Sequence, residues 1–135
     1  MVGTLTSPEA PVRYLLVVED HDGMRDRLVQ LLSAGLSGLL VRGVDSGESA
    51  LAFAAEHEPV AAVIDIGLPG IDGVTTTRRL LDRAPGVAVV VISMNASALH
   101  QAAALEAGAA CFVDKPSVVD RLLPALMTAL ASGNP

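Results

Sequence analysis

Short apolar runs alternate with segments of helical periodicity along this chain, and that alternation constrains its fold more than any other feature. Five runs have the length and composition of buried strands: residues 14–18, 39–44, 60–64, 87–92 and 109–113. Apolar residues at helical spacing follow each run, as Met24, Leu28 and Leu32 do after the first. Strands that alternate with helices in this way predict a parallel sheet covered by helices on both faces.

Glycine, proline and capping residues indicate where the predicted helices begin and end. Ser46 is expected to cap the second helix, and Asp22 is expected to cap the first. Pro124 lies at least one turn inside the last helix and is expected to kink that helix or delay its start. The first three predicted helices end at Gly35, near His57 and before Pro85. The fourth is predicted to extend from Ala96 to Ala107 and the fifth from Val118 to Ala131.

The composition is that of a single folded domain. The chain has 135 residues, of which 51% are hydrophobic, enough for one well-filled core. Residues 1–11 contain Ser, Thr and prolines without apolar periodicity, which is typical of a flexible leader. We therefore predict a folded domain over residues 12–131 and a flexible tail over residues 132–135.

Charge and hydropathy exclude several classes of function. The 15 acidic residues outnumber the 9 basic residues, which argues against direct binding of nucleic acid. The single cysteine, Cys111, excludes a disulfide framework and a cysteine-rich zinc site. The long charge-free span Gly86–Leu105 is interrupted by polar residues, and the first residues lack the pattern of a secretory leader. We expect a cytoplasmic protein with no membrane partner.

Polar side chains follow the predicted strands at one edge of the sheet. They are Glu19 and Asp20 after the first strand, Asp65 after the third, Ser93 after the fourth and Lys115 after the fifth. Ligands of parallel sheets bind at this edge. Clustered carboxylates repel one another unless a cation joins them, and Mg2+ prefers such oxygen ligands. Because Lys and Ser donors suit phosphoryl oxygens, the pattern predicts phosphoryl transfer to a carboxylate.

These residues also resemble a known family. The pair Glu19-Asp20, the loop 65–73 (DIGLPGIDG), the pair Ile92-Ser93 and the pair Lys115-Pro116 occur in the order found in receiver domains of two-component response regulators. The resemblance extends from about residue 12 to residue 131. It implies a flavodoxin-like α/β fold, a doubly wound (βα)5 parallel sheet with strand order 2-1-3-4-5.

The resemblance also implies the chemistry of the acidic site. Asp65 would accept a phosphoryl group from a sensor histidine kinase or a phosphotransfer protein. Mg2+ would be held by Asp20, by Asp65, by the backbone carbonyl of Gly67 and, through water, by Glu19. Lys115 would pair with a phosphate oxygen, and its bond to the following proline is expected to be cis. The domain is then a phosphoacceptor that catalyses its own phosphorylation and dephosphorylation, and it is not an enzyme with a separate substrate.

The resemblance to receiver domains also implies a conformational switch. Ser93 lies where the family has a hydroxyl that turns toward the phosphate, and Phe112 lies at the switch aromatic position. The exposed faces of the fourth and fifth helices would form the surface for partner binding or a homodimer. Met94 and His21 resemble the subfamily with a helix-turn-helix output domain. A DNA-binding output domain would therefore follow if the chain is part of a longer protein.

Three other functions fit parts of the pattern. A receiver-like interaction module that is never phosphorylated would carry the same residues. A haloacid-dehalogenase-type phosphatase would use Asp20 as nucleophile and Asp22 as acid/base, but the later acidic metal motif of that family is lacking. A flavin module is disfavoured because the loop after the first strand is acidic, and the P-loop motif for nucleotides does not occur. His21 could line the acidic site, although its spacing to the other histidines is not that of metal ligands.

Overall fold

The structure, a computed structural model, describes residues 12–95 and 97–132. Within these residues, five strands and five α-helices alternate in chain order. The strands are β1 (Tyr14–Val18), β2 (Leu40–Val44), β3 (Ala61–Asp65), β4 (Ala88–Ser93) and β5 (Cys111–Asp114). The helices are α1 (Asp22–Gly35), α2 (Gly47–Glu56), α3 (Gly73–Arg83), α4 (Ala98–Glu106) and α5 (Val118–Ser132), with a short 3-10 turn (Lys115–Ser117) before α5. The predicted leader, residues 1–11, and residues 133–135 of the predicted tail lie outside the described residues.

The five strands form one parallel sheet in the order β2-β1-β3-β4-β5. This order confirms the predicted flavodoxin-like arrangement 2-1-3-4-5. The order reverses at β1, so the chain crosses to opposite faces of the sheet on either side of this strand. In such sheets the ends of the strands beside the reversal form a crevice, which is where ligands bind.

The core consists of two apolar clusters, one on each face of the sheet. Residues of β1 alternate between them: Leu15 and Val17 lie in the first cluster, and Leu16 and Val18 lie in the second. Helices α1 and α5 cover the first cluster, whereas α2, α3 and α4 cover the second. Because both faces are covered, the central strands are continuously apolar, which explains why the sequence marks them so clearly.

The helix termini match the sequence predictions in part. The Ser46 hydroxyl caps α2 by accepting a hydrogen bond from the amide of Ser49 (3.0 Å), as predicted. Asp22 is the first residue of α1 rather than its cap, so that prediction is wrong; its carboxylate pairs with the guanidinium of Arg25 instead (2.6 Å). Helix α5 begins at residue 118 and continues across Pro124, so the proline does not delay its start. None of the helices among residues 12–95 and 97–132 is long and apolar enough to cross a membrane.

Gly73, the first residue of α3, lies against the main chain that follows β3. A Cβ at this position would overlap the backbone oxygen of Asp65 and lie 2.6 Å from Cα of Ile66. Backbone atoms cannot move aside to make room for the Cβ, as the end of a flexible side chain could. We expect Gly73→Ala to lower the free energy of unfolding by about 2 kcal/mol, measured by urea denaturation.

The matched control for this substitution is Gly23→Ala in α1, where a Cβ would meet no atom within 4 Å. This variant is expected to be neutral or more stable by up to about 1 kcal/mol, because alanine favours the helix. Equal stability of the two variants would contradict the close approach of α3 to the end of β3.

Candidate functional site

A buried ion-pair network lies at the carboxyl ends of the strands. The ammonium Nζ of Lys115 lies 2.8 Å from Oε1 of Glu19 and 3.2 Å from Oδ2 of Asp65. The fractional exposures of these residues are 9%, 0% and 5%, respectively. One cation therefore joins carboxylates from two neighbouring strands, as the positions at the strand ends predicted.

The loop after β1 positions Glu19. The amide of Glu19 donates to the carbonyl of Val44 (3.1 Å), which continues the pairing of β1 with β2 by one residue. The guanidinium of Arg25 donates to the carbonyl oxygen of Glu19 (2.9 Å) and also pairs with Asp22. Sequence reasoning missed this role of Arg25, although its position three residues after Asp22 in a helix is a usable signal. The main chain of the acidic loop is thus held from both sides.

The end of β3 positions Asp65. The amide of Ile66 donates to the carbonyl of Ile92 (2.9 Å), so the chain stays beside β4 past the last strand residue. The amide of Gly67 donates to Oδ1 of Asp65 at 3.2 Å. One carboxylate oxygen of Asp65 is therefore held by its own loop, and the other pairs with Lys115. A Cβ at Gly67 would meet only Oδ1 of Asp65, at 3.9 Å, so the approach to the carboxylate is open on that side.

The charge balance of the network keeps Lys115 protonated. Burial lowers the pKa of the Lys115 ammonium, but the hydrogen bond to Glu19 and the charges of Asp65 and Glu19 outweigh burial. The pKa of Lys115 is therefore raised above its usual value of 10.5. The lysine is a permanent positive charge at the site throughout the neutral range.

Asp20 and His21 extend the site toward solvent. The carboxylate oxygen Oδ1 of Asp20 is buried and accepts no hydrogen bond from the described residues. The ring nitrogen Nδ1 of His21 lies 3.3 Å from Oε2 of Glu19 and 3.6 Å from Oδ1 of Asp20. His21 therefore does line the acidic site, which sequence analysis had raised only as an alternative.

The residues fit a hard divalent cation. Glu19, Asp20 and Asp65 supply carboxylate oxygens, the ligands that Mg2+ prefers. Oδ1 of Asp20 accepts no hydrogen bond from the described residues and is a buried acceptor that a cation would satisfy. The acidic loop therefore has the donor atoms to hold a divalent cation, and Asp20 contributes a buried oxygen that accepts no hydrogen bond.

Ser93 and Phe112 belong to β4 and β5 and are not part of the ion-pair network. Ser93 is the last residue of β4 and is 2% exposed. Its hydroxyl accepts a hydrogen bond from the amide of Asn95 (3.0 Å). The half-buried ring of Phe112 in β5 packs against the second apolar cluster. Their roles as switch residues stay predictions.

The Lys115–Pro116 bond differs from the expectation. No peptide bond is cis within the described part of the chain, so this bond is trans and the prediction of a cis bond is wrong. Pro116 is the second residue of the 3-10 turn, a position where the restricted φ of proline is tolerated. The trans isomer is intrinsically preferred by about 0.5–1 kcal/mol, and this turn accommodates it.

Replacing Asp20 tests the repulsion within the acidic cluster. One ligand atom each from Glu19, Asp20 and His21 lies within 4.8 Å of the others. Without divalent cations, Asp20→Asn is expected to raise the free energy of unfolding by about 1 kcal/mol, because it removes one of two adjacent negative charges. Addition of Mg2+ should stabilise the parent more than this variant, as measured by thermal unfolding.

The control is Asp22→Asn, which removes a nearby carboxylate at the start of α1. The side chain of Asp22 is 87% exposed and pairs with Arg25. We expect this variant to change stability little, as is usual for exposed ion pairs, and to keep the response to Mg2+. If Asp20→Asn is no more stable than the control, the result would argue against repulsion at the site.

Comparison with known proteins identifies the family. The family model described as the response regulator receiver domain matches residues 15–127. The chain belongs to this family. A receiver domain is a signalling domain of two-component systems, and this assignment agrees with the resemblance seen in the motifs.

Individual relatives agree with the assignment. The chain is 39% identical over 117 residues to the transcriptional activator protein ExaE of Pseudomonas putida, a match covering 87% of this chain and 55% of that protein. It is 34% identical over 118 residues to the response regulator GacA of Pseudomonas aeruginosa, with the same coverage. The chain thus spans about half the length of these relatives. A CheY-like receiver domain protein from Methanospirillum hungatei superposes with a TM-score of 0.82 at 24% identity, covering 91% of this chain and 97% of that one, and shares the fold.

Proposed function

We propose that this receiver domain accepts a phosphoryl group on Asp65 from a sensor histidine kinase or a phosphotransfer protein, in a reaction that requires Mg2+. The observation that carries the proposal is the buried Asp65 carboxylate, paired with Lys115 and adjoining an acidic loop in which a buried oxygen of Asp20 accepts no hydrogen bond. A carboxylate in this setting can act as a nucleophile, and the lysine offsets the added charge.

Different residues of the chain have different roles in the phosphoryl transfer. A carboxylate oxygen of Asp65 forms the bond to phosphorus while the phosphorus–nitrogen bond of the donor phosphohistidine breaks, and the bonding pair stays on the donor imidazole. The ammonium of Lys115 then pairs with a phosphoryl oxygen, since it already lies 3.2 Å from the acceptor carboxylate. A Mg2+ ion, when bound by Glu19, Asp20, Asp65 and the carbonyl of Gly67, supplies positive charge that offsets the phosphoryl oxygens.

Phosphorylation would act as a switch through Ser93. A phosphoryl group brings about −1.5 to −2 charges and strong acceptor oxygens to the end of the sheet. The Ser93 hydroxyl would leave its hydrogen bond with the Asn95 amide and donate to a phosphate oxygen. The loop between β4 and α4 would then repack, and the ring of Phe112 would turn inward.

The exposed surfaces of α4 and α5 are the proposed output of this switch. Large apolar side chains are exposed there, including Leu99 (82%) and Leu105 (51%) on α4 and Met127 (58%) on α5. Such side chains favour a protein partner or a second copy of the domain. By analogy with the longer relatives, one of which is named a transcriptional activator, we propose that this switch acts in the cytoplasm and, if the chain is part of a longer protein, controls a DNA-binding output domain.

The test is the intact mass of the protein after incubation with Mg2+ and a small acyl phosphate. We expect the gain of one phosphoryl group, and no gain when EDTA removes the cation. A folded protein that gains no phosphoryl group, beside a response regulator that does so under the same conditions, would contradict the proposal. It would favour the interaction module that is never phosphorylated.

A further inference from the structure

The side chain of His21 lies inside the ligand cluster of the acidic loop. One atom each from Glu19, Asp20 and His21 falls within 4.8 Å of the other two. Bonds from a divalent cation to such ligands measure about 2.0–2.5 Å, so a single ion can contact all three atoms. The mechanism proposed above uses both carboxylates and leaves the imidazole without a role.

The chain itself directs the imidazole toward the carboxylates. His21 precedes α1, and its amide donates to Oε2 of Glu19 at 3.1 Å. The same ring presents Nδ1 to Oε2 of Glu19 and to Oδ1 of Asp20, at 3.3 and 3.6 Å. Without a cation, Nδ1 contacts the carboxylates favourably by donating its proton; with the proton on Nε2 instead, Nδ1 has the lone pair with which imidazole binds metals. The side chain is 75% exposed, so the ring can adjust to an ion without repacking the core.

We propose that His21 is a ligand of the divalent cation, so that this site binds a transition-metal cation such as Mn2+ more tightly than Mg2+. The inference rests on the proposed function for the location of the cation. Mg2+ favours oxygen ligands, whereas imidazole nitrogen favours first-row transition metals. The buried Oδ1 of Asp20, which accepts no hydrogen bond from the described residues, supplies the neighbouring oxygen ligand.

The experiment uses Mn2+ as the probe and the whole chain as the protein. Pulsed electron paramagnetic resonance of bound Mn2+ detects the nitrogen coupling that a directly bound imidazole produces. We expect this coupling in the parent and its loss in His21→Ala, with Mn2+ affinity reduced by about 10-fold or more. The affinity for Mg2+, measured by competition, is expected to change less than about twofold, because Mg2+ relies on the oxygen ligands.

The matched control is His57→Ala, which removes an exposed imidazole at the end of α2 that packs on Tyr14, the first residue of β1. It should keep the nitrogen coupling and the Mn2+ affinity of the parent. Labelling of histidine with 15N in the unsubstituted protein provides a second measurement, because it should change the coupling without any substitution.

Two results would overturn the inference: Mn2+ that binds without nitrogen coupling, or a coupling that persists in His21→Ala. Weaker binding of Mn2+ than of Mg2+ by the parent would overturn the selectivity. A different result would contradict the proposed function. A domain that binds Mn2+ through His21 but gains no phosphoryl group would contradict the phosphorylation of Asp65 and would support the ligand role.

Discussion

Lys115→Met is expected to lower the free energy of unfolding by about 3 kcal/mol in neutral buffer without divalent cations. The substitution keeps an unbranched side chain but removes the cation that lies 2.8 Å from Glu19 and 3.2 Å from Asp65. Glu19 is completely buried, so Oε1 of its carboxylate would lose its cationic partner without gaining access to water. The measurement is urea denaturation of the parent and the variant.

A double-variant cycle identifies the origin of that loss. Glu19→Gln combined with Lys115→Met removes both charges. The double variant should therefore recover most of the stability that is lost in Lys115→Met alone. If the double variant is as unstable as Lys115→Met, the loss comes from packing and the ion-pair account is wrong.

The same interaction determines the dependence of stability on pH. The pKa of Lys115 is raised in the folded domain, so its contribution is fully present below the usual value of 10.5 and is lost as the pH rises through the higher folded value. The difference in stability between parent and variant should therefore be constant across the neutral range. On the alkaline side it should shrink once the pH passes through the raised pKa of Lys115.

Asp65→Asn is expected to slow phosphorylation by an acyl phosphate at least about 10^3-fold, because the amide that replaces the carboxylate is not a nucleophile. Asp82→Asn makes the same chemical change at an exposed position in α3 and should react at the rate of the parent. The rate is followed by intact mass against time. Equal rates for Asp65→Asn and the control would show that another residue accepts the group.

The sequence predicted the first strand more accurately than the last. Strand β1 is buried on both faces, so its apolar run matches the observed bounds. Strand β5 was expected from residue 109 but begins at Cys111, because the amide of Ala109 still bonds to α4 through the carbonyl of Ala104 (3.0 Å). Apolar composition does not distinguish a strand residue from one that closes a helix.

The candidate site was predictable to the extent that topology alone determines it. The parallel sheet places Glu19, Asp65 and Lys115 at one edge, so their proximity follows from strand order. The contacts of His21 and Arg25 depend on the path of the loop and on side-chain rotamers, which spacing does not specify. The isomer of the Lys115–Pro116 peptide bond is likewise determined by local structure, and the cis isomer that the family resemblance predicted is wrong.

The chemical identity of the phosphorylated residue is the most direct test of the account. Borohydride reduces an aspartyl phosphate to homoserine, and peptide mass spectrometry then locates the homoserine in the sequence. We predict homoserine at position 65 and at no other position after reaction with Mg2+ and an acyl phosphate. Homoserine at position 20 would indicate the phosphatase-type nucleophile Asp20, and it would contradict the assignment of Asp65 as the acceptor.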